Sequence, residues 1–172
     1  AALLMWLTIK PVNYIAPKKN QPGTVAVRSA YNDKAFLYFI VCTILFASCF
    51  FQLFNNIPVF FKKEMHLSEP FIGFIMAING IIIAILEMVL IYKLEGKRNS
   101  LVYISGGVLV VGISFLLLNI PAGGVLVATG MVVLVTFGEI FSMPFMNSYW
   151  IARTQPSNRG EYAAIYTMAW SA

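Results

Sequence analysis

The sequence predicts an all-α membrane protein, a polytopic bundle of helices that cross a lipid bilayer. Three observations predict it. Hydrophobic residues make up 59% of the chain and charged residues only 11%, whereas a soluble domain carries about 25% charged residues. The charges are gathered into short stretches between long apolar runs. Those runs are about as long as the roughly 20 residues that a helix needs to span the hydrocarbon core.

Four of the runs are predicted to span the membrane, at residues 35–61, 70–92, 101–120 and 125–151. The last two come from one uncharged stretch, 99–138, which as a single helix would be about 60 Å long, twice the thickness of the bilayer core. The cluster of Asn, Pro and Gly at 119–124 is where this stretch turns back. Residues 1–9 and 162–172 read as pieces of two further spans, so the chain is expected to be a fragment of a longer protein.

The basic residues give the spans a direction. Ten of the twelve Lys and Arg residues lie in segments 10–34, 93–100 and 152–161, and the other two lie at 62–63. The positive-inside rule therefore predicts that the first three segments face the cytoplasm. This distribution accounts for the net charge of +5 without a nucleic-acid partner. Segment 10–34 is long and contains three prolines, which is typical of a linker between two membrane halves.

Glu139 is the strongest candidate for a functional side chain, because it lies near the middle of a predicted span. An ionisable group at that depth is costly unless it faces protein or water. Its helical face includes Thr136, Met143 and Trp150, and Pro144 leaves the carbonyl of the residue four positions earlier without its helical donor. Two interpretations stay open: a proton or cation site, or a protonated side chain that packs a neighbouring helix by hydrogen bonding.

Glu87 is the second ionisable residue within a predicted span. It continues a seam of small residues with alternating spacings of four and three, which is typical of close helix packing. The seam consists of Gly73, Ala77, Gly80, Ala84 and Glu87. The seam predicts that Glu87 faces protein, either to pair with a basic group or to take part in gating or coupling.

Uncharged polar residues in the spans are further candidates for a proton or substrate site. Gln52, Asn55 and Asn56 share one face at the outer end of the first span, where they could line a substrate passage or satisfy a backbone kinked by Pro58. Asn79 and Asn147 are the remaining polar candidates.

Enzyme chemistry is not indicated. The sequence has no nucleophile elbow, no zinc-protease motif and no phosphate-binding glycine loop. His66 is the only histidine and has no nearby second ligand, whereas a metal site needs three or four. We therefore expect no catalytic residues, no metal and no cofactor.

The loops resemble those of the major facilitator superfamily. Residues 92–98 are similar to a shortened form of its cytoplasmic signature, Gly-x-Leu-Ala-Asp-Arg-x-Gly-Arg-Arg. Leu94, Glu95 in place of Asp, Gly96, Lys97 and Arg98 match, and the leading Gly and central Arg do not. Residues 159–162, Arg-Gly-Glu-Tyr, resemble the turn that often precedes the family's eleventh helix.

That resemblance implies a fragment of a twelve-helix fold. Residues 1–9 would end the sixth helix, 10–34 would be the cytoplasmic linker, and 35–172 would belong to the C-terminal half, which would function with the N-terminal half of the same protein. Lys93, Glu95, Gly96, Lys97, Arg98 and Arg159 would form a cytoplasmic gate loop.

The resemblance also implies proton-coupled secondary transport of a small molecule across the bilayer. The pattern is most similar to bacterial drug-efflux members, which implies export of amphipathic molecules from the inner membrane. Two alternatives remain open: proton-coupled uptake of a sugar, peptide or metabolite, and a membrane scaffold or sensor without transport.

Overall fold

The computed structural model describes residues 29–121 and 123–171. Within them it contains six α-helices, two short 3₁₀ helices at Ala30–Asn32 and Leu117–Asn119, and no strand. The α-helices are α1 (Lys34–Asn55), α2 (Ile57–Lys63), α3 (Glu69–Leu94), α4 (Ser100–Leu116), α5 (Gly124–Ala152) and α6 (Arg159–Ser171).

The predicted all-α membrane fold is confirmed. By length and composition, four stretches of the described chain could each cross a membrane: Lys34–Asn55, Glu69–Leu94, Ser100–Asn119 and Gly124–Ala152. The predicted end of a span at 1–9, and all of the predicted linker except 29–34, lie outside the described residues.

The first predicted span, 35–61, is divided into two helices. α1 ends at Asn55 and α2 begins at Ile57, with Asn56 between them. Pro58 lies in the first turn of α2, and its ring nitrogen cannot donate to the carbonyl of Phe54. The outer end of the span is therefore a separate short helix, and the side chains of Gln52 and Asn56 hydrogen-bond to each other beside the break.

The starts of α1, α4 and α6 meet the ends of α3 and α5 at one end of the bundle. Asp33, which precedes α1, bonds to Arg153 at the end of α5, and Ser29 bonds to Glu161 in the first turn of α6. The Tyr103 hydroxyl donates to the Leu94 carbonyl at the end of α3, 3.3 Å away. We call this the basic end, because it is the end that the charge distribution predicts to be cytoplasmic.

Helices α4 and α5 approach each other through Gly107 and Gly138. A Cβ atom on Gly107 would lie 2.2 Å from the Ser142 hydroxyl oxygen and 2.6 Å from the Gly138 carbonyl oxygen. A Cβ atom on Gly138 would lie 2.4 Å from a Val111 methyl group. Only glycine fits at either position, and the two backbones touch midway along the bundle.

Two apolar clusters lie one above the other along the bundle. The cluster nearer the basic end contains Phe36, Phe39 and Phe46 of α1, Phe145 and Met146 of α5, and Tyr162 of α6. The other contains Leu53, Ile57, Phe61, Ile72, Ile75 and the α5 residues Ala128, Met131, Val132 and Val135. The buried polar side chains of Asn79, Thr136, Glu139 and Ser142 lie at intermediate positions along α3 and α5.

Candidate functional site

Glu139 is buried where α5 packs against α3. Only 3% of Glu139 and 3% of Asn79 is exposed, and Thr136 is fully buried. α3 presents Asn79 to this site because Ile72 and Ile75, seven and four residues earlier, pack on α5 through the same face. The site therefore joins a carboxyl, an amide and a hydroxyl in a buried interhelical contact, far from the ends of both helices.

The amide of Asn79 bridges the other two groups. Its nitrogen donates to the Thr136 hydroxyl oxygen at 2.9 Å and to the Glu139 Oε2 at 3.2 Å. The Thr136 hydroxyl donates to the Val132 carbonyl at 2.7 Å, so its oxygen is the acceptor for Asn79. The two protons of the amide nitrogen are thus committed, one to each partner, and this fixes the amide orientation.

The second oxygen of the Glu139 carboxyl has no partner. Among the described residues, Glu139 Oε1 is the buried side-chain oxygen or nitrogen that makes no hydrogen bond. No cation lies in an ion pair with this carboxyl within that part of the chain, where the ion pairs are Lys62–Glu69 and Asp33–Arg153. A buried carboxylate in this setting would be strongly disfavoured. The arrangement suits a proton, or a cationic group that arrives and leaves.

Pro144 also removes one backbone donor from the helix beside Glu139. Pro144 lies inside α5 and cannot donate to the carbonyl of Ile140, the next residue after Glu139. Ser142 does not fill this gap, because its hydroxyl donates to the Gly138 carbonyl at 2.7 Å. α5 nevertheless continues as a helix through the proline, so the missing backbone donor does not break the helix.

The other predicted site residues do not join Glu139. Glu87 is half-buried, and Gly73 and Gly80 of its seam have open space where a Cβ would lie. Within the described residues the seam thus faces no helix, and α3 packs through the Ile72, Ile75 and Asn79 face. Gln52, Asn55 and Asn56 are exposed near the α1–α2 break. Asn147 is exposed and accepts from the Trp150 indole at 3.0 Å.

The predicted gate loop is an exposed turn. Lys93, Glu95, Lys97 and Arg98 are exposed, and none of them forms an ion pair within the described ranges. Gly96 has φ 77°, a left-handed conformation that glycine adopts without strain. It lets the Lys97 amide bond back to the Leu94 carbonyl at 3.1 Å. Arg159, the first residue of α6 at the basic end, donates to Thr154 at 3.4 Å.

The sequence did not predict one polar cluster, at the basic end. Asp33 bonds to Arg153 and Tyr162, residues far away in the sequence. The Arg153 guanidinium holds the pKa of the Asp33 carboxyl below its usual value, and hydrogen bonding to Asp33 raises the pKa of Arg153. One signal was available, because Asp is a preferred residue directly before a helix.

No group of His, Cys, Asp and Glu side chains with the arrangement of a metal site occurs in the described part of the chain. An apolar groove of about 950 Å³ runs between α1 and α4, lined in part by Tyr38, Cys42, Leu101, Val108 and Tyr149. It does not include Glu139.

A family model described as Major Facilitator Superfamily matches residues 1–172. No curated protein and no solved structure matches the chain.

Proposed function

Since the chain belongs to the major facilitator superfamily, whose members are secondary transporters of small molecules, we propose that it takes part in proton-coupled transport with Glu139 as the protonation site. Membership of this family makes the chain part of an integral, multi-pass membrane transporter rather than of an enzyme. The proton, the substrate class and the direction of transport are our proposal.

The observation that carries the proposal is the unpartnered oxygen of Glu139. The carboxyl is 3% exposed and accepts one neutral hydrogen bond, from Asn79, while its other oxygen has no partner among the described residues. A neutral carboxylic acid is tolerated in such a place, whereas a carboxylate needs a cation or water to compensate its charge. Loss of the proton would therefore require the site to open or to take up a cationic group. This requirement links protonation to a change of conformation.

Asn79 supports the same role by holding Glu139 in both protonation states. Its amide proton can hydrogen-bond to the carboxyl oxygen whether or not the acid is ionised, because Oε2 keeps a lone pair in each case. Thr136 fixes the amide through the second proton, 2.9 Å away. The carboxyl thus keeps its position while the unpartnered oxygen gains or loses a proton.

An aromatic cluster supports an amphipathic substrate. Trp170 of α6 packs against Phe46 and Phe50 of α1, with ring centroids 6.0 Å apart in each case. Counted from the basic end at about 1.5 Å per residue, Phe46, Trp170 and Glu139 lie at similar depths of about 16–20 Å. An aromatic surface and a carboxyl at one depth would suit a molecule with an apolar body and a cationic group.

We further propose export as the direction and the cytoplasmic membrane of a bacterium as the location, on the loop similarities of residues 92–98 and 159–162. The exposed basic loop of Lys93, Glu95, Gly96, Lys97 and Arg98, together with Arg159, would contact the N-terminal half of the transporter at the cytoplasmic side. Uptake of a sugar, peptide or metabolite is the alternative that the direction measurement separates from export.

The test is transport by the full-length protein in inverted and right-side-out vesicles, with an imposed pH gradient and a panel of fluorescent amphipathic cations. We expect Glu139→Gln to abolish accumulation driven by the gradient while leaving exchange of substrate down its own gradient. Glu87→Gln is the matched control, because Glu87 is a half-buried carboxyl within α3 that makes no hydrogen bond to the Asn79 site among the described residues, and it should retain coupling. Wild-type coupling in Glu139→Gln would overturn the proposal.

A further inference from the structure

The most completely bonded charged group in the described residues lies outside the Glu139 site. Asp33 is 7% exposed, and each of its two carboxylate oxygens accepts two hydrogen bonds. Oδ1 accepts from the Phe36 amide at 3.1 Å and from Arg153 Nη2 at 2.8 Å. Oδ2 accepts from Arg153 Nε at 3.0 Å and from the Tyr162 hydroxyl at 3.1 Å. The four donors stabilise the ionised form of Asp33. The Glu139 carboxyl, in contrast, lacks a hydrogen-bond partner on one oxygen among the described residues.

The four bonds come from three helices. Phe36 belongs to the first turn of α1, Arg153 directly follows α5, and Tyr162 lies in the first turn of α6. Arg153 bonds with two nitrogens, a geometry that fixes direction as well as distance. Its guanidinium carbon also lies 5.4 Å from the centre of the Tyr149 ring. A single carboxylate therefore holds the ends of three helices at defined positions.

Apolar packing around the cluster joins α1 to α6 more closely than to α4. The rings of Phe36 and Tyr162 are 4.4 Å apart and those of Phe39 and Tyr166 are 6.2 Å apart. Between α1 and α4, in contrast, lies the groove of about 950 Å³. The groove limits the apolar contact between α1 and the α4–α5 pair. The hydrogen-bonded ion pair of Asp33 and Arg153 therefore adds a polar contact between α1 and α5.

We propose that Asp33, Arg153 and Tyr162 form a latch that holds the basic ends of α1, α5 and α6 together at a defined separation. The inference goes beyond the proposed function, because it concerns helices joined away from Glu139. Arg153 directly follows the helix that carries Glu139, so the latch sets the position of that helix against α1 and α6.

Ser29 extends the latch to the segment that precedes α1. Its hydroxyl hydrogen-bonds to the Glu161 carboxyl in the first turn of α6, and the same hydroxyl oxygen accepts from the Tyr31 amide at 3.4 Å. The chain entering α1 is thereby tied to α6 as well as to α5. Movement of this segment would be transmitted to both helices through these contacts.

The test measures distance between spin labels in the full-length protein in lipid nanodiscs, without substrate and without a pH gradient. Replacement by Ser of every cysteine in the full-length protein, which within these 172 residues means Cys42 and Cys49, provides the background. One label pair, at Tyr38→Cys on α1 and Ile151→Cys on α5, reports on the basic end, and both native side chains are exposed, by 75% and 42%. Asp33→Asn removes the charge but keeps a good helix-capping residue, so that the ion pair is tested apart from the cap.

We expect Asp33→Asn and Arg153→Gln to shift this distance to longer values and to broaden its distribution, with a smaller shift for Arg153→Lys, which keeps the charge and loses the two-pronged geometry. Glu69→Gln is the matched control, since it breaks the exposed Lys62–Glu69 ion pair at the opposite end, and it should leave the distribution unchanged. If Asp33→Asn does not fold, Arg153→Lys and Tyr162→Phe provide the same measurement. Distributions equal to the background in the variants that fold would overturn the latch, whatever the outcome of the Glu139 transport experiment.

Discussion

The side-chain amide of Asn79 on α3 donates a hydrogen bond to the carboxyl of Glu139 on α5, across 3.2 Å in a contact where each residue is 3% exposed. This bond is the only one that the Glu139 side chain makes within residues 29–121 and 123–171. Much of what the site can do depends on it, because the amide both orients the carboxyl and compensates part of its burial.

Replacement of Asn79 by Ala should therefore lower the free energy of unfolding. It leaves both Glu139 oxygens and the Thr136 oxygen without a donor, a loss of about 1–3 kcal/mol. Thermal unfolding in lipid nanodiscs measures it. Asn147→Ala is the matched control, since Asn147 is exposed and bonds only to Trp150 among the described residues, and its effect should stay within about 0.5 kcal/mol. Equal losses in the two variants would contradict the structural role of Asn79.

Glu139→Gln should leave the free energy of unfolding within about 1 kcal/mol of the wild type, although it removes proton coupling. The amide has the same shape, and its oxygen can accept the bond from Asn79. Circular dichroism and thermal unfolding, measured on the same preparation as the transport assay, separate a lost proton from a lost fold. A drop as large as that of Asn79→Ala would mean that the Glu139 carboxyl is needed for packing.

The coupling between the two residues can be measured directly. If their bond is the main interaction, the Asn79→Ala and Glu139→Ala effects should be non-additive by about 0.5–3 kcal/mol in a double-mutant cycle, since each variant removes the bond. Thermal or denaturant unfolding of the wild type, the two single variants and the double variant supplies the four free energies. Additive effects would indicate that the two side chains stabilise the protein independently.

The sequence marked Glu139 as a candidate because its depth alone makes a carboxyl in a span unusual. It also marked Asn79 and Thr136, but it could not pair them, since the rotation of α3 about its axis decides which side chains reach α5. The same rotation leaves the Gly73–Gly80 seam open in the described residues. Helical periodicity shows that α3 has two apolar faces, the Gly73–Gly80 seam and the face of Ile72 and Ile75. It does not show which of the two packs against α5.

The pairing of Asp33 with Arg153 was not predicted from the sequence, for a different reason. Both lie at helix ends among other charges, and the charge distribution predicts only which side of the membrane they face. Their pairing depends on α1 and α5 being neighbours, and no local pattern connects residues so far apart in the chain. The break within the predicted span 35–61 could not be predicted for a similar reason. Pro58 removes one backbone donor, and whether the helix ends there depends on whether neighbouring groups replace that donor.

Gly107→Ala should separate α4 from α5. The new methyl group would lie 2.2 Å from the Ser142 oxygen and 2.6 Å from the Gly138 carbonyl oxygen, so a backbone must move, at a cost of about 1–3 kcal/mol or more. Gly106→Ala is the control one residue away, where a Cβ meets nothing within 4 Å, and it should be neutral or stabilising by up to about 1 kcal/mol. Thermal unfolding measures the change in the free energy of unfolding for both variants. Similar changes in the two would contradict the close approach of α4 and α5.

Asp33→Asn should destabilise the fold. The size of this destabilisation should depend on pH only under acidic conditions, below about pH 5. Arg153 lowers the pKa of the Asp33 carboxyl below the ordinary value of 3.8, so the folded state favours the ionised form. The resulting stabilisation is complete above the unfolded value, and it disappears as the pH falls through the lower, folded value. Arg153 stays cationic throughout, since its own pKa is raised, and Tyr162 acts as a neutral donor.

Unfolding temperatures from pH 3 to pH 8 should therefore show a constant difference between wild type and Asp33→Asn above about pH 5, corresponding to about 1–3 kcal/mol. The difference should become smaller toward pH 3. A difference that instead changes between pH 6 and pH 8 would mean that another titrating group controls the latch.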